Sequence, residues 1–210
     1  LDKRQKFIVA VIALSIVLFI AQFQFGTSGL LGPLILSVLT DIFLWWAIKG
    51  DMKSNANSSV FILPFFYSLA FGLFYFLVPA RFLSRILLTG LYAFGLYSLF
   101  LSQNIFVVGS IRTIALLSGA RIVSFVITLV SFFLLANIIF TFHLSFFPLI
   151  GVIFLFTYLL MYQSVWSYTL QKTVVSLPLW ILALTFCIVE IAVMLWFWPS
   201  NPTVIALFLT

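Results

Sequence analysis

The chain is predicted to be an all-α, polytopic integral membrane protein with about seven to eight transmembrane helices and one further interfacial or re-entrant helix. Three observations predict it. Runs of roughly 16 to 22 residues, almost free of charge, recur along the sequence. At ~1.5 Å rise per residue, that is the length a helix needs to cross a hydrocarbon layer ~30 Å thick. Hydrophobic residues make up 65% of the 210 and charged residues 7%, which is more apolar surface than a soluble core of this size can hide. The polar segments between the runs are short, so no soluble domain is inserted and 1–210 reads as a single transmembrane helical domain.

The first span, 7–23, follows Lys3, Arg4 and Lys6, and could be mistaken for a signal peptide. The segment after it lacks a small-x-small cleavage pattern and further spans follow directly, so the span is read as retained. The second, 30–48, closes on Trp45, Trp46 and Lys49, an aromatic and basic boundary of the kind found at headgroup level. The longest loop, KGDMKSNANSS, has the small polar composition of an exposed connector. Spans at 60–78 and 86–101 lie on either side of Pro79, Arg81 and Arg85.

The next stretch, 104–119, is apolar but carries Arg112 in its middle. A crossing here would hold a guanidinium in hydrocarbon at a cost of roughly 2.5 kcal/mol or more, so an interfacial or re-entrant helix is expected. Spans at 122–142, 147–166 and 177–198 follow, and an eighth, 203–210, begins after Pro202. The chain starts at Leu1 rather than Met and stops inside an apolar run, so both ends read as incomplete.

Orientation comes from the basic residues of short loops. With the N-terminus cytoplasmic, Lys3, Arg4, Lys6, Lys49, Lys53, Arg112, Arg121 and Lys172 fall inside, and only Arg81 and Arg85 fall outside. Trp45, Trp46, Trp166 and Trp180 then lie near the inner boundary, with Trp196 and Trp198 near the outer one. The expected location is an inner (plasma) membrane of prokaryotic type. The excess of ten Lys and Arg over four Asp and Glu is explained by this topology and needs no nucleic-acid partner. Membrane lipids, and other membrane subunits, are the partner classes left.

No cofactor or metal is expected. Cys187 is the single cysteine and His143 the single histidine, too few for a disulfide, a two-His metal site or paired haem ligation. No H-E-x-x-H or G-x-S-x-G motif occurs, and the first outer loop, QFGTSG, has no acidic residue.

The informative residues are therefore the polar ones placed inside spans. Asp41 and Glu190 are candidates for an intramembrane polar site, because a carboxylate in hydrocarbon must find a cation, a hydrogen-bond donor or a proton. Ser37, one turn before Asp41, is expected to donate to it, and Arg112 and Arg121 are the candidate cationic partners. Glu190 shares its face with Cys187 and Met194 and is expected to have even less access to water than Asp41. The segments DIFLWW and EIAVMLW, around the two acids, have the form of an inverted repeat. Arg81 and Arg85, spaced i, i+4, are a candidate outer contact for a lipid phosphate or another anion, or simply snorkel to the headgroups. Gly90, Gly95 and the 118–120 cluster are read as close helix contacts. The 27 phenylalanines are read as lipid-facing and interhelical bulk.

The functional expectation is a non-enzymatic small transporter or membrane scaffold subunit. The competing class is an intramembrane enzyme acting on a lipid or lipid-linked substrate.

Overall fold

The computed structural model describes residues 3–24, 31–50, 58–78, 82–109, 115–170, 177–198 and 201–210. Among them are eight helices and no strand: α1 (Lys3–Gln24), α2 (Leu31–Ile48), α3 (Ser59–Phe74), α4 (Phe82–Gly109), α5 (Leu117–Thr141), α6 (Phe146–Thr169), α7 (Leu177–Trp196) and α8 (Pro202–Leu209). Seven of them are long and apolar enough to cross a membrane. The predicted class is the observed one, a polytopic α-helical membrane protein.

Prolines set where helices begin. Pro33, Pro148, Pro178 and Pro202 fall in the first turns of α2, α6, α7 and α8, where a missing N–H costs no intrahelical bond. Inside the spans, Ser15, Ser37, Thr40, Thr128, Ser131 and Thr185 donate their hydroxyls to the carbonyl four residues back. Such residues cross hydrocarbon without needing a neighbouring helix.

Helices α1 to α4 form a ring in which α1 touches α2 and α4, and α3 touches α2 and α4. Helix α5 packs on α3, α4, α6 and α8, and α6 also reaches α3. Helices α3 and α5 are the most enclosed, with ten of 16 and 13 of 25 residues buried. Helix α7, with four of its 20 residues buried, lies at the edge against α6 and α8.

Contacts at the helix ends show that successive helices run in opposite directions. At one end Lys6 stands 5.5 Å over the Trp46 ring, and the Phe7 and Phe100 rings lie 6.1 Å apart. A side chain added at Gly109 would meet Leu117 and Leu170 at 3.2 and 3.6 Å. At the other end a side chain added at Gly72 would lie 3.0 Å from Pro33. There too Arg85 stands 5.5 Å over Tyr75, and Phe146 is 6.0 Å from Phe197. Lys3, Arg4, Lys6, Lys49 and Arg121 therefore share the first end, and Arg85 marks the second.

One expected element is corrected. Residues 104–109 continue α4 and 117–119 open α5, so 104–119 is not a helix of its own. Gln103 and Asn104 look like a break in the hydropathy pattern, yet Gln103 turns fully inward and the helix runs on past both. Arg112 lies outside the described residues, as do Lys53, Arg81 and Lys172.

Candidate functional site

Helix α2 places its apolar and hydroxyl residues on two faces. Leu36, Ser37, Thr40, Leu44 and Ala47 point into the bundle, which leaves Asp41 at the edge of that face, half-buried. Asp41 lies seven residues before Ile48, roughly 10 Å along the axis. Helical side chains lean toward the N-terminus, so the carboxylate points away from the nearer end and deeper into the span.

The surroundings are apolar. Asp41 lines a groove of about 540 Å³ between α2, α3, α5 and α6, walled by residues such as Phe61 and Phe65, Leu135 and Ile139, and Leu155 and Leu159. Among the described residues, every other side chain lining the groove is Leu, Ile, Val or Phe. Asp41 Oδ1 is buried and has no hydrogen-bond partner among the described residues. A second, more open recess of about 300 Å³ continues from Asp41 past Val38 and Ile42 to Trp45. Trp45 in turn lies under the Lys49 ammonium, 4.9 Å from its ring centre. The carboxylate thus stands where a lateral apolar recess, starting near the basic end, meets the main groove.

Of the residues expected to serve Asp41, Ser37 and Arg121 are engaged elsewhere, and Arg112 lies outside the described residues. Ser37 is fully buried and donates to the Pro33 carbonyl at 2.8 Å, which uses its one proton inside its own helix rather than on Asp41. Arg121 donates from Nε and Nη2 to the Ser167 and Tyr168 carbonyls at 3.2 and 2.8 Å and lies 5.5 Å over the Tyr168 ring. It closes the C-terminus of α6, satisfying carbonyls that have no intrahelical partner. Arg85 is engaged with Tyr75 at the second end.

Glu190 is exposed, as is Cys187, and Met194 beside them is 73% exposed. The shared face is as expected, but it turns outward, because Ile181, Thr185, Val189 and Ala192 take the inward one. Glu190 does not line the Asp41 groove. The two acids occupy unlike environments on α2 and α7, and the packing gives the inverted repeat no support. Trp166 lies in the last turn of α6, at the end where it is expected, with its ring buried edge-to-face against Phe106.

Sequence reasoning passed over the buried hydroxyl cluster next to this site. Thr40 and Ser68 Oγ atoms lie 2.7 Å apart, and Ser68 is 3.0 Å from the Tyr92 hydroxyl, joining α2, α3 and α4. Tyr67 donates to the Leu91 and Tyr92 carbonyls and stacks on Tyr92 at 5.7 Å. Two buried glutamines, Gln103 and Gln163, have no hydrogen-bond partner among the described residues for either side-chain polar atom. The available signal was the one used for Asp41, a polar residue inside an apolar run.

Fold and site together define a class, a membrane-embedded helical bundle with one carboxylate in a lateral apolar groove. No protein-family model, no curated protein and no solved structure matches this chain.

Proposed function

We propose that this protein is a non-enzymatic carrier for an amphiphile that has an apolar body and a cationic or hydrogen-bond-donating head. The body lies in the groove between α2, α3, α5 and α6, and the head is held by Asp41. The observation that carries the reading is the unpartnered carboxylate among otherwise purely aliphatic and aromatic walls. Such a group is costly in hydrocarbon, and a cationic head is what offsets that cost. The groove volume of about 540 Å³ falls in the range of small-molecule sites. The recess from Trp45 to Asp41 supplies a route from the basic end, and a site deep in the span suits access from either face. Catalysis on a lipid would need an acid–base partner beside Asp41, and the groove walls supply none.

The basic end, with Lys3, Arg4, Lys6, Lys49 and Arg121, is assigned to the cytoplasmic side of a prokaryotic-type inner membrane on the same reading. The test is equilibrium binding of a labelled long-chain primary amine to the protein in nanodiscs. Asp41→Leu is expected to weaken binding roughly ten- to a hundredfold, the value of one charge-assisted hydrogen bond. The same-chain sulfonate should bind no better than the empty nanodisc. Equal affinity of wild type and Asp41→Leu for the amine overturns the proposal.

A further inference from the structure

Two phenyl rings share the position of the carboxylate. Asp41, Phe61 and Phe65 line both the groove of about 540 Å³ and the recess of about 300 Å³, so these three side chains stand where the two cavities meet. Phe61 and Phe65 are spaced i, i+4 on α3, which puts both half-buried rings on one helix face toward Asp41. The recess continues along α2 with Val38 and Trp45, about one turn to either side of Asp41, and with Ile42. Away from the basic end, the groove runs on past Leu34 on α2 and Leu69 and Leu73 on α3. A charge held at Asp41 therefore has apolar wall on both sides of it, rather than hydrocarbon on one side and headgroups on the other.

Hydrogen-bond capacity narrows the kind of cation that suits this place. Among the described residues lining the two cavities, Asp41 alone carries a side-chain acceptor, because the Trp45 indole only donates. A primary ammonium brings three N–H donors, and any that misses the carboxylate is buried without a side-chain acceptor. Each alkyl group on the nitrogen replaces one donor with apolar surface, which the walls accept at no such cost. A tertiary ammonium keeps a single N–H for the single carboxylate. Ring faces add to this preference, since aromatic walls attract alkylated ammonium groups. The Trp45 ring already has the Lys49 ammonium 4.9 Å from its centre, which leaves Phe61 and Phe65 to meet the head.

We propose that the Asp41 site selects an amphiphile with a tertiary ammonium head, its nitrogen carrying two small alkyl groups besides the long chain, over the primary amine of the same chain. The carboxylate accepts the one N–H, and the rings of Phe61 and Phe65 pack on the N-alkyl groups. This rests on the carrier reading and adds to it the class of the head.

The test compares a long-chain N,N-dimethylamine with the primary amine of equal chain length, at a pH where both are protonated. Each is titrated into the protein in nanodiscs and corrected for uptake by empty nanodiscs. Wild type is expected to bind the dimethylamine roughly two- to thirtyfold more tightly, the range of a cation–ring contact. Phe61→Leu combined with Phe65→Leu keeps the walls apolar and should remove most of that preference, whereas Asp41→Leu should weaken both amines. The wild-type comparison needs no variant, so it decides even where the double substitution fails to accumulate. A primary amine that binds as tightly as the dimethylamine, with both weakened by Asp41→Leu, overturns the head assignment and leaves the carrier standing. Binding of both amines that is unchanged in Asp41→Leu overturns the carrier and the head assignment together. A preference that survives intact in the double-leucine variant also overturns the assignment, because the rings then do not make it.

Discussion

At the scale of single residues, the bundle separates polar groups that hold it together from one that does not. Ser68 bonds to both Thr40 and Tyr92 across three helices, so removing it leaves both partners short of a bond. Asp41, one residue from Thr40, has no such role. Asp41→Leu is therefore expected to leave the thermal midpoint in detergent unchanged or raise it, whereas a residue fixed by the fold would lower it. A melting curve of the purified variant checks this. Gly95 illustrates the opposite case. A Cβ there would overlap the Tyr67 hydroxyl and push it off the Leu91 and Tyr92 carbonyls. Gly95→Ala should destabilise by about 1–3 kcal/mol, an overpacking cost, and should cost measurably less in a Tyr67→Phe background. Equal costs in the two backgrounds, measured by denaturant titration, would show that the hydroxyl is not what Gly95 accommodates.

Among elements, the spans were legible because apolar runs of helix length have one physical reading in a membrane protein. What composition could not convey is which side of each span faces protein. Every face of α7 is apolar enough for lipid, so nothing in the sequence distinguished an inward Glu190 from an outward one. The same ambiguity hid Gln103. A polar residue at the end of an apolar run reads as a helix end, but a buried amide inside a helix looks identical in one dimension, and α4 was read too short as a result. Arg121 was legible as a cation but not as a cap, because its partners, the last carbonyls of α6, are 46 and 47 residues away. Arg121→Ala should free those carbonyls and fray the last turn of α6, at a cost of roughly 0.3–1 kcal/mol. Hydrogen exchange confined to the last turn of α6 would register it, and unchanged protection there would show that the guanidinium does not hold the helix end.

At the scale of the whole molecule, the helices divide the labour. The ring of α1 to α4, tied by hydroxyls and aromatic stacking, holds α2 in place. The α3–α5–α6 wall then faces Asp41 across an apolar groove, and α7 lies behind that wall, outside the groove. In the proposed carrier, this groove holds the body of an amphiphile whose head meets Asp41. The most direct measurement is photolabelling in nanodiscs with a long-chain primary amine that carries a diazirine along its chain, followed by mapping of the modified peptides. Labels are expected on α3 around Phe61 and Phe65 and on α6 around Leu155 and Leu159, suppressed by excess unlabelled amine and lost in Asp41→Leu. Labelling spread evenly over the lipid-facing helices, or labelling of the groove that persists in Asp41→Leu, would contradict the proposed carrier.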